Sequence, residues 1–317
     1  MSNVILSICI PTLKHPNLLL KNLRKIITCP SQEIEIVVFH DGPPDGSQDV
    51  IREIGDPRIK YYVIEERIGF GASLLHLVKM AKGNFIVFSS DEDYINPDII
   101  PWVIEIIKKN DKITQILGTI AHENSNNNEY LQNFNKILKS GRESLEELLF
   151  EYTHLTSFLL KKQSLNLNKA KKFVKSNFSL YMNIVLQTQA MNAGDTLLTS
   201  KIIAFLGEVQ AKPQHDMVEG KGYWEPIARV HQLIDRIKIV YYAAKDKKTQ
   251  KVLLNKVRIK LSILLVTTFF KNPDVFLQIL LHILKIKECV SSFNFWKSLF
   301  NLFFYNFLRF YRQQITK

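Results

Sequence analysis

A chain of 317 residues, 46% hydrophobic, has core material for one large domain or two smaller ones. Its three cysteines, Cys9, Cys29 and Cys289, are odd in number, scattered and without metal-ligand spacing, which excludes a disulfide framework and fits a reducing compartment. The net charge of +12 is concentrated: residues 236–317 hold 16 Lys plus Arg against 3 acids, leaving 26 against 27 for residues 1–235, so a uniformly basic body is excluded.

Residues Val4 to Ile10 form an apolar run ending in Pro11 and Thr12, followed by Leu and Ile at helical spacing from Asn17 to Ile27. Met1 to Thr12 lacks the basic start and small-residue cleavage site of a signal peptide, so a cytoplasmic chain is expected. A second strand, Ile34 to Phe39, runs into the turn-rich loop His40-Asp41-Gly42-Pro43-Pro44-Asp45-Gly46-Ser47, whose side chains and backbone amides suit a polar ligand. A short helix over Asp49 to Ile54, a third strand over Ile59 to Val63 and a helix over Ala72 to Ala81 come next. Strands alternating with helices at this spacing predict an α/β fold with a doubly wound, mostly parallel sheet.

The stretch GNFIVFSSDEDYINPD, Gly83 to Asp98, is fully apolar and then abruptly acidic. Asn84 to Phe88 reads as a central strand buried on both faces. Asp91, Glu92 and Asp93 follow at its carboxyl end, the edge where open α/β sheets bind ligands. Three adjacent carboxylates repel one another and are most useful where a hard divalent cation, Mn²⁺ or Mg²⁺, neutralises them beside a diphosphate.

With these residues in place, the first 110 positions resemble the family 2 glycosyltransferases, inverting enzymes of the GT-A fold. The matching pieces are Ser7 to Thr12 (SICIPT), Glu35 to Asp49 (EIVVFHDGPPDGSQD), the step Asp56-Pro57-Arg58-Ile59, AKGNFIVF before the acidic loop, and Pro97 after it. The resemblance implies a Rossmann-like nucleotide-binding half with Pro11, Thr12, Asp41, Gly42, Arg67, Ser90 and Asp91 around a nucleotide-diphosphate sugar. It also implies Asp91 and Asp93 as the metal-binding pair, the cation assisting departure of the diphosphate. The chain departs from the family at His40, where many relatives have an acid. It departs again at Ser73 and Leu74, which replace an Arg-Asn pair. Ser90-Asp91-x-Asp93 matches the register of relatives that act on surface polysaccharides.

From Ile116 to Ala211 the resemblance weakens. Leu155 to Lys161 reads as a strand, with Thr153 and His154 expected near the donor sugar. Phe178 to Ala193 reads as a helix. Relatives open this helix with a Glu-Asp pair whose Asp is the general base, and here Met182 and Asn183 occupy that place. An inverting transfer still needs a proton acceptor opposite the leaving group, for which Asp195, Asp216 and Glu219 are the loop carboxylates available. Lys212 to Pro226, KPQHDMVEGKGYWEP, reads as a Gly-hinged lid with Tyr223 and Trp224 able to stack on a sugar. His215 falls where some GT-A enzymes place a third metal ligand.

The expected organisation is a GT-A catalytic domain over 1–235 (donor half 1–110, acceptor half and lid 111–235) and a C-terminal helical, basic amphipathic extension over 236–317. In the extension, apolar segments over Leu261 to Phe270 and Val275 to Leu284 are too short for a span of ~20 residues. Phe293 to Phe310 is dense in aromatics but interrupted by Lys297 and Arg309, the pattern of an in-plane interfacial helix. A helical bundle or homo-oligomer contact fits the same pattern. Nucleic acid does not, because the cations are interleaved with apolar runs.

The sequence is therefore expected to encode a metal-dependent inverting glycosyltransferase, peripheral on the cytoplasmic face of a bacterial inner membrane. It would use a nucleotide-diphosphate sugar, UDP-linked by preference, and a lipid-linked or glycan acceptor in lipopolysaccharide, capsule or similar surface-polysaccharide synthesis. The alternatives are an inactive nucleotide- or membrane-binding module of the same fold and a sugar nucleotidyltransferase. Pro11 to Pro16 lacks the glycines that the latter's phosphate loop needs.

Overall fold

The computed structural model of the chain describes residues 4–122, 135–151, 154–176, 182–207, 226–271, 273–293 and 295–304. It divides into two compact units, Met1–Ala211 and Lys212–Lys317.

The first unit is α/β, in agreement with the alternation read from the sequence. Its elements are β1 (Leu6–Thr12), α1 (Pro16–Ile26), β2 (Ile34–Asp41), α2 (Ser47–Ile54), β3 (Ile59–Ile64), α3 (Phe70–Met80), β4 (Phe85–Phe88), β5 (Tyr94–Ile95), α4 (Ile100–Lys109) and β6 (Ile113–His122). There follow β7 (Lys136–Leu138), α5 (Arg142–Leu148), β8 (Phe158–Lys161), α6 (Leu167–Ser176), α7 (Met182–Ala193) and β9 (Asp195–Leu206). The sheet order is β3-β2-β1-β4-β8-β6-β9-β5, with β7 also on β9. The strands β1 to β4, β6 and β9 share one direction, while β5, β7 and β8 oppose them. The carboxyl ends of β1, β2, β4 and β9 thus lie along one edge of the sheet.

Both faces of the sheet are covered, which is why its strands read as apolar runs rather than alternating ones. In β2, Ile36 and Val38 join a core built with Leu19, Leu23 and Ile26 of α1. The next residue, Phe39, turns to the other face and stacks on His76 of α3 at 5.4 Å between ring centres. The face that α1 buries is spaced i, i+3, i+4, i+7, as an amphipathic helix requires, and Pro16 opens it at a position where a missing N–H costs nothing. The strand expected over Leu155 to Lys161 begins only at Phe158, because residues Leu155–Ser157 form a 3₁₀ turn. Of the helix expected over Phe178 to Ala193, Met182–Ala193 is observed and residues 177–181 lie outside the described residues.

Two polar ties account for motifs that the sequence singled out. The Ser7 hydroxyl donates to Glu35 Oε1 at 2.6 Å and accepts the Gly83 N–H at 2.8 Å, joining β1, β2 and the entry to β4. A Cβ on Gly83 would lie 2.6 Å from the Ser7 nitrogen, so the glycine of AKGN is a close-approach residue. Arg58 donates to the carbonyls of Ile27 and Ser31 at 3.0 Å each, to that of Cys29, and to Asp56 Oδ2 at 2.7 Å. Its guanidinium holds Asp56 below the usual carboxylate range and pins the α1–β2 loop to the start of β3. Arg58→Ala should cost roughly 2–4 kcal/mol in urea denaturation, since three loop carbonyls and a partly buried carboxylate lose their donor together. A loss under about 0.5 kcal/mol would mean that water replaces it freely.

The second unit is helical: α8 (Pro226–Ala243), α9 (Lys247–Lys271), α10 (Pro273–Leu284), α11 (Lys287–Val290) and a helical stretch over 295–304. It has its own core, with Val230, Leu233, Ile237 and Val240 on α8 facing inward at 3-4-3 spacing and Leu253, Val257, Leu261 and Leu265 buried along α9. The boundary expected after residue 235 falls inside α8. Charge begins to accumulate at Arg236, but the apolar stripe that fixes the helix starts earlier, and the stripe decides the fold. Among the described residues no helix is long and apolar enough to cross a membrane.

Candidate active site

The acidic loop after β4 is built from local serine chemistry. Ser90 Oγ accepts the N–H groups of Glu92 at 3.1 Å and Asp93 at 2.7 Å, and Ser89 Oγ donates to the Asp93 carbonyl at 2.6 Å. These short side chains satisfy backbone groups that a tight turn would otherwise leave open. Asn22 of α1 donates to the Asp91 carbonyl at 2.6 Å and anchors the loop from below.

The two aspartates sit differently. Asp91 Oδ2 accepts the Thr12 hydroxyl at 3.2 Å, which ties the acidic loop to the end of β1. Burial pushes its carboxyl up to about 7, the neighbouring Glu92 charge adds to the rise, and the Thr12 hydroxyl works against it. Asp93 is gripped on both oxygens: Gly207 donates its N–H to Oδ1 at 3.1 Å, and His154 Nε2 lies 3.4 Å from Oδ2. His154 directly precedes the turn into β8, whose antiparallel course places its start at the carboxyl end of β4. The expectation that His154 lies at the donor edge thus meets a specific contact, to an acid rather than to a sugar.

At the end of β2, Asp41 accepts the N–H groups of Ile68 at 2.7 Å and Gly69 at 2.8 Å. Both carboxylate oxygens are thereby used to fix the loop that opens α3, with Gly69 at φ +88°. Gly42, next to Asp41, is held by its N–H to the Ile64 carbonyl at 3.1 Å. Arg67, exposed, lies next to the residues that Asp41 binds. His40 is fully buried, its Nδ1 2.8 Å from the Tyr61 hydroxyl and 3.5 Å from Asp45 Oδ1. Its Nε2 has no hydrogen-bond partner. Burial, with the Asp45 charge adding to it, pushes the Tyr61 hydroxyl up to about 12.

Pro11, Thr12, Asp41, Gly42, Ser90, Asp91, Asp93 and His154 are therefore brought to one edge of the sheet. Asp195 is not. It opens β9, whose other end reaches Gly207 and the acidic loop, so roughly 3.3 Å per residue over the strand separates it from the site by on the order of 30 Å. It accepts Lys139 Nζ at 3.0 Å and the Ser140 N–H at 3.2 Å at the opposite sheet edge. Its candidacy as a base is withdrawn. His215, Asp216, Glu219, Tyr223 and Trp224 lie outside the described residues.

Two residues escaped the sequence reading. Asn22 is 3% exposed and sits on the buried face of α1 with Leu19, Leu23 and Ile26, and a polar residue in that stripe is a signal that was there to be read. Gly207 is pressed so closely on the acidic loop that a Cβ would meet the Glu92 carbonyl oxygen at 1.9 Å. Only tertiary contact reveals it.

As a cation site, the loop offers hard oxygen donors, Asp91 and Asp93, which suit Mn²⁺ or Mg²⁺. A carboxyl pushed up by burial lacks a nearby positive charge, and a divalent ion would supply one. Among the described residues no group of three His, Cys, Asp or Glu side chains is gathered to hold a metal.

The model for the family described as "Glycosyl transferase family 2" matches residues 7–167. The chain is 30% identical over 186 residues to "Glycosyltransferase GlyA" of Streptococcus pneumoniae serotype 4, an alignment covering 55% of this chain and 26% of that protein. It therefore spans about a quarter of that relative's length. Among solved structures it is similar to S. aureus TarS 1–349 in complex with UDP-GlcNAc, with a TM-score of 0.56 and 16% identity over 94% of this chain and 79% of that one. It is also similar to the mannosyltransferase PcManGT of Pyrobaculum calidifontis in complex with GDP-Man and Mn²⁺, with a TM-score of 0.51 and 13% identity over 94% and 84%. These likenesses give the first unit a GT-A fold.

Proposed function

Because the chain belongs to glycosyl transferase family 2, we propose that it is an inverting glycosyltransferase moving a sugar from a nucleotide-diphosphate donor to a glycan acceptor of the bacterial surface. The observation that carries the reading is the meeting of the β1, β2, β4 and β9 ends around Asp91 and Asp93, with Asp91 half-buried and short of positive charge. A divalent cation, Mn²⁺ or Mg²⁺, held by Asp91 and Asp93 would neutralise the departing diphosphate. The complex of PcManGT with GDP-Man and Mn²⁺ supports a divalent cation, and the UDP-GlcNAc bound to TarS supports UDP, ahead of GDP, as the donor's nucleotide because TarS is the more similar fold by TM-score.

The chain's own residues have separable tasks in this reading. Thr12 and Asn22 hold Asp91 in place, while the Gly207 N–H and His154 orient Asp93. Asp41 shapes the donor wall through the Ile68 and Gly69 amides rather than by offering a free carboxylate. The transfer also needs a proton acceptor for the attacking hydroxyl; the sequence proposes Asp216 or Glu219 for it, with His215 as a metal ligand and Tyr223 and Trp224 as sugar contacts, all outside the described residues. The acceptor is lipid-linked, of lipopolysaccharide or capsule type, and the chain works at the cytoplasmic face of the inner membrane.

A nucleotide titration tests this. UDP with Mn²⁺ should raise the melting temperature, by the equivalent of about 2.7 kcal/mol at a hundredfold excess over the dissociation constant. GDP, CDP and dTDP should raise it less, and the effect should disappear with a chelator. Stabilisation without turnover of any UDP-sugar would favour the inactive binding module, a reading that the buried Met182 and Asn183 at the usual base position keep in play. No stabilisation by any nucleotide would remove both.

A further inference from the structure

The helical unit leaves large apolar side chains in water at a density that a closed bundle does not need. On α10, Leu277 and Leu281 are 58% and 51% exposed, and Leu284 continues the same stripe. On the last helical stretch Phe300 is 72% exposed, with Phe304 one turn further, and Phe293, ahead of that stretch, is 77% exposed. The helices that carry these side chains meet at an aromatic corner, where Phe303 lies 5.1 Å from Phe269 at the end of α9 and 6.2 Å from Phe276 at the start of α10, with Phe269 and Phe276 5.0 Å apart.

Cations stand within these stripes. Lys297 is exposed and sits three residues before Phe300, so on a helix the two share one face. Lys285, also exposed, follows Leu281 by four residues. The whole of the +12 charge falls in residues 212–317, with 19 Lys plus Arg against 7 acids, whereas the α/β unit has 23 of each.

From this surface we infer an in-plane docking face for a bilayer rich in anionic phospholipid, the exposed Leu and Phe entering the acyl boundary and the flanking lysines reaching the headgroups. The inference builds on the membrane placement proposed above and adds the surface and the lipid chemistry. Charge decides the occupant: a second copy would bring +12 against +12, and nucleic acid would face hydrocarbon rather than a polar cationic stripe. With 12 residues, α10 measures about 18 Å, short of the ~30 Å hydrocarbon core, so it lies on the membrane rather than through it.

The test is sedimentation of the full chain with vesicles of phosphatidylcholine alone or with about one-third phosphatidylglycerol. Binding is expected only to the anionic vesicles and should fall steeply with added salt. Phe300→Glu should abolish it, and Lys297→Glu should weaken it roughly tenfold, both with unchanged helical circular dichroism and an unchanged nucleotide-dependent melting shift. Equal binding by the variants, binding to neither vesicle, or a concentration-dependent dimer that Phe300→Glu dissolves would overturn the inference. The nucleotide shift is read on the same samples, so a chain that ignores vesicles but responds to UDP loses only the membrane face, and the converse loses only the transfer reading.

Discussion

Asp91→Asn should abolish sugar transfer, by a factor on the order of 10³ or more, while making the metal-free protein more stable at pH 8. The two effects have one origin. Burial pushes the Asp91 carboxyl up to about 7 from an ordinary 3.8, so the folded chain binds a proton more tightly there than the unfolded chain. Such a group contributes stability that is fully present below about 3.8 and lost as pH rises through about 7. At pH 8 the ionised, half-buried Asp91 then costs a few kcal/mol, roughly 2–4 once solvent screening is allowed for, and a neutral amide of the same shape recovers part of it. The melting temperature of Asp91→Asn in a chelator should exceed that of the parent by roughly 5 °C at pH 8, with the gap closing toward pH 4. Added Mn²⁺ should reverse the order by stabilising the parent alone. A variant no more stable than its parent at pH 8 would show that water, not protein, surrounds this carboxylate.

Gly207→Ala should cost about 10²-fold in kcat/KM while leaving the chain folded. Its new Cβ would occupy space 1.9 Å from the Glu92 carbonyl oxygen, a backbone atom with no flexible end to swing away. The strand end or the acidic loop must move by an ångström or more, and the Gly207 N–H that holds Asp93 Oδ1 moves with it. Misplacement of a positioned group by about 1 Å is enough for a loss of that size, whereas local overpacking at a strand end costs about 1–3 kcal/mol. Steady-state kinetics beside a urea melt would separate the two, and full activity in the variant would mean that the acidic loop tolerates the shift.

The donor half was legible because its signals are local. Apolar runs of four to eight residues, broken by Gly, Pro and Asp, gave β1 to β4 and α1 to α3 nearly to their ends, and the serine-flanked acids stand in the sequence as they stand in space. The second half was not legible. β6 and β9, the two longest strands, went unread: β9 is interrupted by Thr199, Ser200 and Lys201, and the register between them shifts at several bulges. Alternation fails where a strand bends, so period-counting fails with it. Asp195 was misjudged for a related reason. Its place in the sequence, beside a glycine and after a helix, resembles a loop at an active site, but the direction of β9 puts it at the far edge of the sheet.

The sequence by itself determined the fold class, the acidic loop, the serines that fold it and the division of charge between a neutral body and a cationic extension. These depend on residue type and short spacing. Only the tertiary structure decided which ends of which elements meet: that Thr12, Asn22, His154 and Gly207 converge on two aspartates, that Asp41 is spent on a neighbouring loop, and that helices of the second unit meet at one aromatic corner. Contacts between residues tens to more than a hundred positions apart are fixed by strand order, direction and helix rotation, which the minimum of the whole chain's free energy selects and no local window contains.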